Sequence, residues 1–152
     1  MQFTHEVTLT VDAPWRDVWR EWNDVRLLPR LLTHIRAADP GEHEDLARLI
    51  IHLEGRHLEF AVERTMCADR TLCWQSLGEL FMYVLSLRLD TPKSGSGILL
   101  TLSVAYDPPG FLPDIAESLG LSRKFGRELE ADFRRYAHAL QSNCLAELTS
   151  VE

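Results

Sequence analysis

The 152-residue chain has no stretch near the ~18 consecutive apolar residues that a membrane-spanning helix needs, so no integral membrane segment is expected. Positive charge is also short. With 16 Lys and Arg against 23 Asp and Glu, the net charge is −7. That field has the wrong sign for the phosphate backbone, which excludes nucleic acid as the main partner. Cysteine is scarce, and Cys67, Cys73 and Cys144 show no metal-ligand spacing and leave one thiol over in any disulfide scheme. Reduced, partly buried thiols are the expectation. Phosphate-binding glycine loops, dinucleotide-binding glycines and Ser-His-Asp or Cys-His pairings are all missing, so no cofactor is called for. The opening MQFTHEVTLTV alternates instead of pairing a basic start with an apolar run. It reads as a strand, not a signal peptide, and the cytoplasm is the expected location.

What is present fits one ordinary globular domain over 1–152, with 45% hydrophobic and 26% charged residues. Phe3, His5, Val7, Leu9 and Val11 share one face of the first strand. Asp12 then stands as a helix N-cap with Pro14 in the first turn. Trp15, Trp19 and Trp22 follow at i, i+4 and i+7, on one face of a helix. Val25 to Leu32, interrupted by Pro29, makes a second short helix.

Six antiparallel strands are expected next. In LARLIIHLEGRHLEFAV, Gly55 opens a type II′ turn that pairs Leu53 with Leu58 and Ile51 with Phe60. In LCWQSLGELFMYVLSL, a turn at Gly78-Glu79 sets Ser76 against Phe81 and Trp74 against Tyr83. GILLTLSVAYDPPG is the last strand, with Leu100, Leu102, Val104 and Tyr106 on one side. A short helix at 113 to 119 ends at Gly120, and Ser122 caps a long one running to about Leu148. Its stripe is Phe125, Leu129, Phe133, Tyr136, Leu140, Cys144 and Leu148. The class is α+β, with the helix stripe and the sheet's apolar face burying each other.

VDAPWRDVWREWND after strand one, LCWQSLGE, VAYDPPGF and LEADFRRYAHAL, in that order, resemble the polyketide cyclase/dehydrase branch of the START-like (SRPBCC) superfamily. The resemblance implies a helix-grip fold, with a seven-stranded curved antiparallel sheet around the C-terminal helix and two short helices after strand 1. It also implies a hydrophobic cavity between sheet and helix. Members bind lipids, sterols, quinones or polyketides, and only some are catalysts, so the fold does not settle the function.

The expected binding residues are Trp22, Phe60, Arg64, Trp74, Ser76, Phe81, Tyr83, Tyr106, Phe125, Leu129 and Phe133. The aromatics and Leu129 supply walls, while Ser76 and the phenols orient a ligand. Arg64 has inward parity, and its guanidinium needs a carboxylate or an anionic ligand group. His52, Glu54, His57 and Glu59 fall on the polar face of their hairpin, a solvated face rather than a metal site. His5, among apolar residues, reads as a hydrogen-bonded core histidine. Arg123, Lys124 and Arg127 leave room for an anion site at the cavity mouth.

Three functions follow. Binding of a hydrophobic small molecule leads. Cyclase or dehydratase chemistry is second, because His5, Tyr83, Tyr106 and Arg64 come without a carboxylate pair. A protein-interaction module with a collapsed cavity is third. Oligomeric state is left open.

Overall fold

A computed structural model describes residues 2–78, 81–93, 95–108 and 115–142. The elements are β1 (Phe3–Val11), α1 (Trp15–Asn23), a 3₁₀ turn (Val25–Leu27) leading into α2 (Leu28–Leu31), β2 (Ile35–Pro40), β3 (Leu46–Leu53), β4 (Arg56–Ala68), β5 (Thr71–Ser76), β6 (Tyr83–Asp90), β7 (Ile98–Tyr106) and α3 (Ile115–Gln141). One antiparallel sheet runs β1-β7-β6-β5-β4-β3-β2, so β1 and β2 are its two edges. Alternation explains which face is buried. Leu49, Ile51 and Leu53 on β3, Tyr83, Leu85 and Leu87 on β6, and Leu100, Leu102, Val104 and Tyr106 on β7 all turn inward. Against them lies the stripe Phe125, Leu129, Phe133, Tyr136 and Leu140. At 27 residues, α3 is roughly 40 Å long.

Several expectations are corrected. The β3–β4 register differs by two, with Leu53 opposite Arg56, Ile51 opposite Leu58 and Leu49 opposite Phe60. Glu54 and Gly55 are both at positive φ, 51° and 76°, which makes a type I′ turn instead of II′. β5–β6 shifts likewise, with Trp74 opposite Leu85 rather than Tyr83. A shift of two keeps every side chain on its face, so the inward set survives. α1 starts from Pro14, and Asp12 is not its cap; the Asp12 N–H instead meets Gln141 Oε1 at 3.3 Å. α3 runs through Gly120 without a break, so Ser122 is a buried mid-helix residue and not a cap. β2 had no place in the strand-by-strand reading.

The thiol expectation is also overturned, because Cys67 and Cys73 form a disulfide with Cα atoms 5.9 Å apart. The β4 bulge between Met66 and Ala68 places Cys67 across from β5. Glu79 of the expected second turn, the start of the expected short helix at 113 to 114, and Cys144 and Leu148 of the expected stripe lie outside the described residues.

Candidate functional site

Two groups of inward residues emerge at different places along the grip. The first joins α1 to the sheet. Trp22 is buried edge-on against Phe133 and Tyr136, with ring centroids 6.0 and 5.4 Å away. The Trp74 indole N–H donates to the Trp22 carbonyl at 3.2 Å. Arg64 donates to the Asn23 carbonyl at 3.1 Å, pairs with Asp45 at 2.8 Å and lies over the Trp74 ring. The indole and the guanidinium thus satisfy carbonyls at the α1 C-terminus, where the helix dipole favours a cation. Behind Trp22, Tyr136 donates to Glu21 at 3.1 Å, and burial pushes both of these groups' pKa values up. Leu129 is buried on the same α3 stripe as Phe133.

The opening tryptophans therefore divide. Trp22 is interior, whereas Trp15 and Trp19 line an outer cleft of about 570 Å³ with Met66, Leu89 and Ile98. By register, that cleft lies at the opposite end of the sheet from Tyr106.

The second group is polar and surrounded by aromatics. Phe60 packs on Phe81 and Tyr83 at 5.4 and 5.3 Å, and Phe125 packs on Tyr106 at 5.6 Å. His34 and His5 approach the same Phe125 ring at 4.9 and 5.4 Å. His34 Nε2 lies 2.6 Å from the Tyr83 hydroxyl. His5 Nε2 lies 2.8 Å from Ser122 Oγ, which also accepts from Tyr106 at 3.2 Å. Ser76 serves its own loop, donating to the Phe81 carbonyl and accepting from the Tyr83 N–H.

Electrostatics keep this cluster neutral. Burial, helped by Arg36, pushes the His34 pKa down to about 3, and burial lowers that of His5. Burial raises both phenols, and the Glu54 charge adds to the rise at Tyr106. These groups act as hydrogen-bonding dipoles at neutral pH. Three side-chain atoms are buried without a hydrogen-bond partner among the described residues: Trp22 Nε1 in the first group, and His34 Nδ1 and Glu54 Oε2 near the second. Buried polar atoms ordinarily find partners, and the last two, on residues beside Tyr83, Phe125 and Tyr106, leave hydrogen-bonding capacity unused.

His34 and Ser122 were missed as site residues, and Glu54 was misplaced on the solvated face. The positive φ of Glu54 takes it out of strand alternation, and its Oε2 is buried. His34 follows α2 in a connecting turn, where no periodicity marks an inward residue. The rest of the polar hairpin face fits the expectation: His52 meets Arg36, and Glu59 pairs with Arg48 at 3.0 Å. Among the described residues no cluster of His, Cys, Asp and Glu suits a metal, and no helix is long and apolar enough to cross a membrane.

No protein-family model and no curated protein sequence matches the chain. Solved structures do. A Deinococcus radiodurans protein superposes at TM-score 0.73, covering 93% of this chain and 98% of its own at 16% identity. The Zhui aromatase/cyclase from Streptomyces sp. R1128 gives 0.67, 91% and 95%, at 15% identity. A START superfamily protein from Mycobacterium smegmatis gives 0.60, 89% and 98%, at 13% identity. At such identities the likeness is one of fold, and that fold is the START-like helix grip.

Proposed function

We propose, from the START-like helix-grip fold as premise, that this chain binds a hydrophobic small molecule between the sheet and α3. The ligand class is an aromatic or oxygen-bearing molecule of lipid, polyketide or quinone type. The observation that carries the reading is the packing of Phe60, Phe81, Tyr83, Tyr106 and Phe125 around the neutral His34 and the two phenols, with His34 Nδ1 and the Glu54 carboxylate's Oε2 buried and unpaired beside them. Apolar burial supplies affinity at ~25 cal/mol per Å² before ordering costs are subtracted. The neutral dipoles favour a carbonyl or hydroxyl over a charged group at that end. The setting is the cytoplasm in this reading, and the Cys67–Cys73 disulfide puts that to the test.

Catalysis in the same enclosure is the second reading, favoured by the 2.6 Å contact of His34 with Tyr83. A His34 imidazole held neutral by burial serves as a hydrogen-bonding group rather than as a base, and phenols that keep their protons can donate to a developing enolate oxygen. Glu54 adds a carboxylate beside Tyr106.

Native mass spectrometry of purified protein, repeated after extraction with organic solvent, tests the binding. The wild type should carry a reproducible adduct that extraction removes, and Phe125→Trp, which adds bulk at the centre of the enclosure, should carry less. An adduct unaffected by Phe125→Trp would refute binding at this place. A clean wild-type mass would favour turnover over retention.

A further inference from the structure

Away from the grip's interior, the edge strand β1 and helix α3 bound a groove of about 530 Å³. His5, Glu6, Val7 and Thr8 form one wall, and Arg123, Gly126, Arg127, Glu130 and Arg134 the other. Glu130 is engaged by Arg134 at 2.9 Å, which neutralises that pair. Arg123 and Arg127 are exposed and have neither an ion pair nor a side-chain hydrogen bond among the described residues. They stand four residues apart, so their guanidiniums share a helix face where like charges repel. Glu6 on the facing wall offsets one of these charges, so the groove lining keeps a net positive charge in a chain whose total is −7.

His5 supplies the second observation. Gly126 lies so close that a Cβ there would be 2.7 Å from His5 Nδ1. A side chain at 126 would displace the ring, and its absence seats His5 in the groove wall. The other ring nitrogen meets Ser122 Oγ, which already accepts from Tyr106. In the tautomer where Ser122 donates its own proton to Nε2, the neutral ring carries its proton on Nδ1. Two guanidiniums without an ion pair among the described residues and the His5 ring thus border one groove.

We propose that this groove is an anion site for a phosphate monoester group. Arg123 and Arg127 clamp its oxygens, and His5 is the neutral donor beside them. A phosphate offers enough oxygens for two guanidinium forks at once, which a single carboxylate does not. The groove lies on the outer side of β1 and α3 and shares only His5 with the interior cluster. Because His5 is bonded onward to Ser122 and Tyr106, filling the groove also bears on the interior network.

The test is an NMR titration of the full chain with inorganic phosphate at constant ionic strength, following the His5 ring resonances. Acetate and vesicles containing phosphatidic acid are the comparison arms. Saturable shifts are expected with phosphate, weaker ones with acetate. Arg123→Gln/Arg127→Gln should weaken phosphate binding by about tenfold or more, while Arg134→Gln stays within about twofold. Both variants change exposed positions, so folding should be unaffected, and circular dichroism checks it. Shifts that chloride reproduces, or equal phosphate affinity in the double variant, would overturn the proposal. Binding to vesicles with no response to soluble phosphate would overturn it too, because the site would then need a lipid surface.

Discussion

Replacing His34 with glutamine tests the neutral interior directly. The amide can still meet the Tyr83 hydroxyl, but it cannot take up a proton. In the folded chain burial holds the His34 pKa near 3, against an ordinary 6.5. Between those values the unfolded chain binds a proton that the folded chain refuses. The contribution of His34 is therefore intact above the unfolded pKa and is lost as pH falls from 6.5 toward 3. The slope is about 1.4 kcal/mol per pH unit once the unfolded imidazole is fully protonated. Integrated from about pH 7.5 to about pH 5, the loss is about 2 kcal/mol. His5 has the same sign. Glu21, raised by burial, has the opposite one, its contribution being present at low pH and lost as pH rises through its folded pKa. Both remain in His34→Gln, so the difference between the two proteins isolates His34. Urea unfolding followed by tryptophan fluorescence across this window should show the wild type losing about 2 kcal/mol relative to the variant. Parallel curves would refute the reasoning, because they would mean that the folded protein protonates His34 as readily as the unfolded one does.

Two further perturbations follow from the geometry. Gly126→Ala places a methyl 2.7 Å from His5 Nδ1 and should break the His5–Ser122 contact, at a cost of about 1–3 kcal/mol in chemical unfolding with displaced His5 ring resonances. An unchanged His5 spectrum would mean that the helix yields instead. Alkylation under denaturing, non-reducing conditions should modify one of the three cysteines, with all three modified after reduction. Cys67→Ser should lower stability by about 2 kcal/mol, the loop-closure value for partners only six residues apart. Three alkylations without reductant would return Cys67 and Cys73 to the reduced state expected of a cytoplasmic chain.

The sequence by itself determined every strand except β2, the inward face of those strands, and the α3 stripe from Phe125 to Leu140. Those features rest on periods of 2 and 3.6, which are local and legible. It also placed Trp22, Phe60, Tyr83, Tyr106, Phe125 and Phe133 on inward faces. Register was not legible, because a slide by two residues leaves every face unchanged, and only turn geometry at Glu54-Gly55 distinguishes the two pairings. Nor was the partnership of polar groups. His5 and Ser122 are 117 residues apart, and His34 and Tyr83 are 49 apart, so no local pattern announces either pair. Arg64 needed a partner by its charge alone, but only the fold brought Asp45 and the end of α1 to it. Periodicity decides which side chains go inside; the tertiary structure decides which of them meet, because hydrogen bonds and charges act over a few ångströms between segments that the chain keeps far apart.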